Sequence, residues 1–209
     1  MISPDDPLLM PSASSAQSEL RLRRGEDRRL RAGHLWVFSN EIDTAATPLS
    51  GFQSGELVRL TSDREQFLGY AYVNPHALIC ARILARGPAL VPDQSLLAHR
   101  LKVALSLRER LYREPYYRLV FGESDGLPGL VLDRYGDVLV GQIATAGMEA
   151  LRADLEAAIG KLLAPRALVW KNDGGSRDLE QLPKQILTGI GRMPDELTLA
   201  EGDLKYTVP

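Results

Sequence analysis

Residues 122–136, GESDGLPGLVLDRYG, contain the carboxylates that come closest to a catalytic grouping in this sequence. Glu123 and Asp125 are two residues apart, so both would face the same side of an extended strand. Together with Asp133 they could bind a hard metal ion such as Mg²⁺ or act as a general acid and base. The pattern therefore allows a metal-dependent hydrolase as one interpretation.

The same stretch is also rich in residues that form tight turns. Its Asp-Gly and Pro-Gly pairs favour a strand–turn–strand, because Gly supplies positive φ angles and Pro presets the first corner of a turn. No histidine or other metal-ligand pattern accompanies the acids. We favour the turn, with its polar residues facing another domain or RNA and none of them catalytic. These residues are Glu123, Asp125, Asp133 and Arg134.

Residues 19–36, ELRLRRGEDRRLRAGHLW, concentrate basic side chains and are called the Arg-rich segment below. A guanidinium holds phosphate with two hydrogen bonds, and Arg planes and aromatic rings stack on exposed bases. We predict RNA contact, with a solvated helical face as the alternative, and we expect Trp36 to lie in the core. The predicted RNA-binding residues are Arg21, Arg23, Arg24, Arg28, Arg29, Arg31 and His34.

Arginine is also the dominant base of the whole chain. Of 25 basic residues, 20 are Arg and five are Lys, while 27 residues are acidic and the net charge is -2. Net charge therefore indicates nothing about a nucleic-acid partner, and a GC-rich genome is the alternative explanation for the Arg excess.

Cofactor and nucleophile patterns are weak. Cys80 is the only cysteine, which excludes an internal disulfide, and its apolar surroundings HALICARIL predict a buried small hydrophobe. The glycines at 122, 126 and 129 do not have the dinucleotide-binding spacing, and Gly174-Gly175-Ser176 lacks the Lys of a phosphate-binding loop. We predict no cofactor and no metal site in this chain.

Hydrophobic periodicity divides the chain into two units of ordinary globular composition, 44% hydrophobic and 25% charged. Residues 19–90 alternate as in a small, mostly β domain, and RGPALVPD marks a boundary. Residues 91–209 read as an α+β domain with strands and two amphipathic helices, QSLLAHRLKVALSLRERLYRE and GMEALRADLEAAIGKLLAP. The fold class predicted is α+β.

The two ends of the chain carry separate predictions. Residues 1–18, rich in Ser, Pro and Ala, predict a flexible leader without the pattern of a secretory signal. No run of 18 apolar residues occurs, so we expect no membrane partner and a cytoplasmic location. The last residues, LKYTVP, alternate as in a half-buried strand and predict a chain cut from a longer protein at a domain junction.

Several stretches resemble one known family. RGEDRRLRAGHLWVFSNEI and GYAYVNPHALICARIL resemble the PUA domain of the ribosomal RNA large subunit methyltransferase I family, S-adenosylmethionine-dependent cytosine-5 methyltransferases. YRLVFGESDGLPGLVLDRYGD resembles the family's central stretch, and VWKNDGGSRDLEQLP fits the next segment more loosely. Leu35 departs from the family, which commonly has Pro after the His.

The resemblance implies a PUA-like β-rich barrel followed by an α/β unit of the EEHEE type. It implies that the Rossmann-like methyltransferase domain, with its S-adenosylmethionine site and catalytic cysteine, is absent from this chain. Cys80 lies in the PUA-like part, so that nucleophile is not carried onto it.

The function predicted is that of the RNA-binding N-terminal region of an rRNA cytosine-5 methyltransferase, not catalytic alone. Its expected partners are large-subunit rRNA and its own C-terminal methyltransferase domain, with a homodimer left open. The alternative is a stand-alone RNA-binding adaptor without catalytic activity.

Overall fold

A computed structural model describes residues 18–194, 196–201 and 204–208. Almost all of the predicted flexible leader, residues 1–18, lies outside the described residues. Two five-stranded sheets and a two-stranded hairpin organise the rest.

The first sheet is formed by the strands that the alternation predicted, in the order β1-β3-β4-β5-β2. All neighbours are antiparallel except β1 and β3, which are parallel. The strands are β1 (Glu19–Arg21), β2 (Trp36–Phe38), β3 (Glu56–Thr61), β4 (Phe67–Val73) and β5 (Ile79–Ala85).

Backbone contacts join the two edges of this sheet. Leu22, just after β1, pairs with Ile42, just after β2, in an isolated antiparallel bridge. The Arg23 N–H donates to the Glu41 carbonyl at 2.8 Å, and the Asp43 N–H to the Arg21 carbonyl at 2.9 Å. The sheet therefore curls into a small barrel around a core that includes Leu20, Leu22, Leu30, Val37, Val58, Leu60 and Cys80.

The second sheet has the order β10-β9-β8-β7-β6 and mixes both strand directions. Only β8 and β9 are parallel, and such a pair needs a crossover connection, here provided by helices. The strands are β6 (Tyr116–Phe121), β7 (Leu130–Tyr135), β8 (Val138–Ile143), β9 (Ala167–Asn172) and β10 (Gln185–Gly191).

An EEHEE unit has two strands, a helix and two more strands, and the second sheet has one strand more than that pattern. Three strands precede the crossover and two follow it, because a turn at Gly136 (φ +66°) splits the long apolar stretch into β7 and β8.

The helices are α1 (Arg28–Arg31), α2 (Gln94–Leu111), α3 (Ala146–Ala150) and α4 (Arg152–Leu163).

Helices α2 and α4 pack against each other and cover the core of the second sheet. Asp93 caps α2 as predicted, since its carboxylate accepts the Leu96 N–H at 2.8 Å. The second predicted amphipathic helix is instead two helices, because the backbone leaves helical geometry at Leu151. Helix α4 ends at Ala164 in left-handed conformation, just before Pro165.

The final described residues form an antiparallel hairpin of β11 (Leu197–Glu201) and β12 (Leu204–Val208). The strand predicted at LKYTV is therefore present in the backbone.

Candidate functional site

The Arg-rich segment and the acidic stretch meet in one groove. The Trp36 indole Nε1–H donates to Glu123 Oε1 at 2.7 Å, across 87 residues of sequence. A cavity of about 420 Å³ lies beside this bond. It is lined by Arg29, Gly33, His34, Leu35, Trp36, Glu123 and Ser124, and we call it the Trp36 groove.

Short local elements hold the Arg-rich side of the groove. Leu30 is fully buried and anchors α1, which leaves Arg31 exposed and Arg29 half-buried. Gly33 turns the chain with a φ of +108°, a conformation that costs a glycine little. Arg86 then donates to the His34 carbonyl at 2.7 Å, which fixes the following loop against the first sheet.

Three of the predicted RNA-binding arginines are held in ion pairs on the protein, and Arg21 and Arg29 are the less exposed two. Arg21 Nη2 contacts Glu19 at 3.1 Å and Glu65 at 2.9 Å, and these partners raise the pKa of its guanidinium. Arg29 Nη2 lies 2.8 Å from the buried carboxylate of Glu41. Both side chains therefore have their orientation fixed by acids within the first sheet unit.

Arg31 and Arg23 are more exposed but still bonded. Arg31 pairs with Asp27 at 2.6 Å and donates to Gln66 at 2.7 Å, and the hydrogen bond from Arg31 lowers the pKa of the Asp27 carboxyl. Arg23 donates through Nε to the Ile42 carbonyl at 3.0 Å. Each leaves part of its guanidinium facing solvent.

Arg24, Arg28 and His34 are the least engaged members of the predicted set, although the charge of Arg28 helps to lower the pKa of the Asp27 carboxyl. All three are exposed, and their side chains make no hydrogen bond or ion pair with a described residue. A cation without a protein partner can pair with a phosphate without first breaking an existing contact. RNA contact by the seven residues stays a prediction, and within it Arg24 and Arg28 are the most available charges.

The acids of the opening stretch point to different partners. Glu123 bonds to Trp36, whereas Asp125 forms a bidentate pair with Arg108 at 2.5 and 2.7 Å. Asp125 also accepts the Phe121 N–H at 2.7 Å, so it links α2 to the end of β6.

Asp133 and Arg134 lie on β7, away from the groove residues. Asp133 pairs with Arg118 of β6 at 2.8 Å, and Arg134 bonds to the Tyr117 hydroxyl at 3.1 Å and to the Gly136 carbonyl at 3.0 Å. The described residues contain no group of three or more potential metal ligands. Of the four predicted turn residues, only Glu123 lines the groove.

A 3-10 helix at Gly122–Asp125, rather than a simple turn, connects β6 to the loop before β7. Gly126 ends it with a φ of +70°. Gly129, with a φ of +80°, sits against Thr145, where a Cβ would lie 2.3 Å from the Thr145 hydroxyl oxygen. The glycines of this stretch thus allow the loop after the 3-10 helix to pack against the start of α3.

The prediction that Trp36 lies in the core is wrong, since its side chain is 42% exposed. Side chains alternate across a strand, and in β2 the core position is taken by Val37, which is fully buried. Trp36 therefore points outward, and Glu123 holds its ring in the groove.

Sequence analysis missed a buried charge network that joins the two sheet units. Glu180 is 4% exposed and accepts from Arg82 Nη1 at 2.7 Å and from Asn74 Nδ2 at 2.7 Å. It also accepts the Ala146 N–H at the start of α3, at 3.3 Å. The stretch DGGSRDLEQLP predicted only a loop, but Gly175–Glu180 is a 3-10 helix. Its buried Glu carried no local signal, because its partners lie 34 to 106 residues away in the sequence.

Tyr72 makes the second buried contact between the units. Its hydroxyl donates to the Pro128 carbonyl at 2.8 Å and lies 3.2 Å from the Thr145 hydroxyl, and burial raises its pKa. The ring packs on Gly147 of α3, where a Cβ would lie 1.9 Å from Tyr72 Cγ. Only glycine permits this approach.

A second cavity, of about 240 Å³, lies beside the charge network. Glu123 lines both this cavity and the Trp36 groove. The other lining residues are Arg82, Gly129, Ala144, Thr145, Ser176, Leu179 and Glu180.

Cys80 is buried, as predicted, and its thiol is free. Burial raises the pKa of this thiol to about 12, so the nucleophilic thiolate is suppressed at neutral pH. In the described part of the chain, no helix combines the length and apolar character that a membrane crossing requires.

Comparison with known proteins places residues 20–86 in a PUA-like domain. The chain is 31% identical over 197 residues to Ribosomal RNA large subunit methyltransferase I of Alteromonas mediterranea, covering 91% of this chain and 48% of that protein. It is 34% identical over 195 residues to the protein of that name from Shewanella denitrificans, covering 90% and 48%. These similarities confirm the predicted resemblance, and the chain spans about half the length of the relatives it matches.

Two solved structures share the fold at low sequence identity. One is a Streptococcus mutans protein described as a candidate SAM-dependent methyltransferase, with a TM-score of 0.72, 16% identity and coverage of 91% of this chain and 48% of that one. The other is a candidate methyltransferase complexed with SAH, with a TM-score of 0.74, 16% identity and coverage of 91% and 47%. Together with the PUA-like match at residues 20–86, these similarities support a PUA-like unit followed by a mixed α/β unit.

Proposed function

Because about nine tenths of the chain is similar to ribosomal RNA large subunit methyltransferase I, we propose that it is the RNA-binding region of a cytoplasmic S-adenosylmethionine-dependent rRNA cytosine-5 methyltransferase. It selects and positions large-subunit rRNA. The observation that carries this role is the set of exposed arginines on the PUA-like unit, which belong to the same Arg-rich segment that lines the Trp36 groove. Its unpaired guanidinium groups suit an RNA backbone.

We assign the PUA-like RNA-binding domain to residues 19–90 and the central α/β domain to residues 91–209. The polar network of Glu180, Arg82 and Asn74 supports a fixed orientation between them, since a buried charge that loses its partners is strongly destabilising. RNA held by the first domain would then keep a constant position relative to the second.

The methyl-donor site is assigned to a catalytic portion outside these 209 residues, which is also the proposed partner domain. The β8–α3 connection is the place where a parallel strand leads into a helix, the usual setting for such a site in open α/β sheets. Here it is filled by the protein, because Glu180 accepts the Ala146 N–H and the Tyr72 ring covers Gly147. Glu180 and Tyr72 therefore occupy the position that S-adenosylmethionine would need at this connection.

The cysteine chemistry of cytosine-5 methylation is likewise assigned outside this chain. Such a reaction uses a thiolate to attack cytosine C6, which makes C5 nucleophilic enough to accept the methyl group. Cys80 is buried and largely protonated at neutral pH, so it does not supply that thiolate.

Charge removal on the Arg-rich segment tests the RNA-binding role. We expect the double variant Arg24→Gln/Arg28→Gln to bind a labelled large-subunit rRNA fragment about tenfold more weakly, since two exposed charge contacts together contribute roughly 1.4 kcal/mol. Fluorescence anisotropy of the 209-residue chain at fixed salt measures the change.

The matched control removes two exposed arginines from the other unit, Arg113→Gln/Arg192→Gln, and should bind like the parent chain. Equal weakening by both double variants would show that affinity follows total charge and not the Arg-rich segment.

A further inference from the structure

The Trp36 groove has the size and lining of a small-ligand site. Its volume of about 420 Å³ falls in the range of roughly 300–1,000 Å³ that small-molecule sites occupy. One wall presents the partly exposed Trp36 ring, and the other presents the 3-10 helix that carries Glu123 and Ser124. Arg29 and His34 line it as well.

The ring is held in place before any ligand arrives. The Trp36 Nε1–H donates to Glu123 Oε1, which fixes both the indole and the carboxylate. Arg29 donates to the Trp36 carbonyl at 3.3 Å, and its guanidinium lies 5.1 Å from the Phe38 ring centroid. A rigid aromatic surface loses little conformational entropy when a planar group stacks on it.

The carboxylate has capacity left for a ligand. Glu123 Oε2 makes no hydrogen bond to a described residue, whereas Oε1 is engaged by Trp36. A carboxylate accepts hydrogen bonds from amino groups on the edges of nucleobases, as Glu and Asp do from cytosine N4. Uracil presents carbonyl oxygens on either side of its single N–H, and these would repel the carboxylate.

We propose that the Trp36 groove binds one unpaired nucleotide of the RNA, whose amino-bearing base stacks on Trp36 and donates to Glu123. The inference rests on the proposed RNA-binding function and adds to it a subsite that prefers cytosine, adenine or guanine over uracil. Arg29 and His34 line the groove and are placed to contact the flanking phosphates.

The lining favours a nucleotide over a segment of protein. Apart from the exposed ring, Leu35 is the only large apolar side chain among the groove residues, and cationic and anionic groups both reach the cavity. A base needs a stacking surface, an acceptor and nearby cations together, which is the combination present here.

Hexacytidylate and hexauridylate test the subsite, because they carry equal charge and differ only in the base. We expect the 209-residue chain to bind hexacytidylate roughly tenfold more tightly, from one hydrogen bond to a charged acceptor. Hexacytidylate should also quench the Trp36 emission. The other tryptophan, Trp170, is fully buried, so quenching reports on the groove.

Three variants separate the contributions of the two residues. Glu123→Gln should bring the ratio of the two affinities close to one, and Trp36→Ala should weaken binding of both oligonucleotides. Trp36→Phe keeps a stacking ring and should retain most of the affinity while losing the fluorescence response. Glu109→Gln removes an exposed carboxylate of α2, outside the groove, and should behave like the parent chain.

The outcomes distinguish the subsite from the wider function. If the chain binds the rRNA fragment but does not discriminate the oligonucleotides, or leaves Trp36 emission unchanged, the subsite is wrong and RNA binding stands. The same result would leave a protein segment as the occupant of the groove. If neither the rRNA fragment nor any oligonucleotide binds, the proposed function and the subsite fall together.

Discussion

Residues of one type have different roles here because their partners differ. Glu123 bonds to the exposed indole of Trp36. Asp125 pairs with Arg108 and Asp133 pairs with Arg118, both within the second unit. Among the arginines, Arg29 is oriented by a buried carboxylate while Arg24 stands free in solvent. Residue type and clustering predicted which side chains carry charge, and the three-dimensional partners decide which of those charges face a ligand.

Cys80 provides a prediction at the scale of one residue. Burial raises the pKa of its thiol to about 12, so the thiolate is scarce at every pH below that value. At pH 8 we expect a thiol reagent to modify native Cys80 roughly a thousandfold more slowly than the unfolded chain, whose thiol has a pKa of about 8.5. Absorbance after adding a chromogenic disulfide, with and without denaturant, measures both rates. Rapid modification of the native chain would show an accessible thiolate. Cys80 would then be a candidate nucleophile, contrary to this prediction.

At the scale of elements, the 3-10 helix Gly175–Glu180 joins the two sheet units. Its last residue, Glu180, accepts from Arg82 of β5 and from Asn74 just after β4, while the same carboxylate meets the first turn of α3. Arg100 of α2 adds a further connection, because it donates to the carbonyls of Leu84 and Gly126. The junction is therefore polar, buried and contributed by elements far apart in sequence.

Removing the Glu180 carboxylate should destabilise the chain strongly. Glu180→Ala leaves Arg82 without its carboxylate, while Asn74 keeps only the backbone carbonyl of residue 180 as an acceptor. Breaking a buried ion pair from one side costs about 3 kcal/mol or more. Urea unfolding measures the loss. Asp178→Ala, in the same 3-10 helix, is the control, since its pair with Lys184 is exposed and should contribute less than about 1 kcal/mol. Similar losses from both substitutions would contradict a special role for the junction.

Sequence patterning predicted the regular elements better than their connections. Alternation located β1 to β5 in the first unit, and Asp93 marked the start of α2, because local periodicity and capping determine such features. The exposed position of Trp36 was missed because a three-residue strand is too short to show which face is buried. Buried Glu180 was missed because its environment comes from β4, β5 and α3, which no local window contains.

At the scale of the whole molecule, the acidic connection and the Arg-rich segment converge on one groove although they lie in different sheet units. The buried hydrogen bonds of the Tyr72 hydroxyl with Pro128 and Thr145 hold the two units together. RNA bound in the groove would contact the Arg-rich segment, which contributes Arg29, His34 and Trp36 to its lining. The second unit thus contributes Glu123 and Ser124 to a groove whose other lining residues belong to the PUA-like unit.

The salt dependence of rRNA binding tests the central claim most directly. The apparent affinity of the 209-residue chain for a large-subunit rRNA fragment is measured between about 50 and 200 mM salt, for the parent and for Arg24→Gln/Arg28→Gln. Each phosphate contact contributes about −0.7 to −0.9 to the slope of log affinity against log salt, so we expect a parent slope steeper than about −2 and a double variant shallower by about 1.5. A slope near zero, or an identical slope in the double variant, would contradict phosphate binding by the Arg-rich segment.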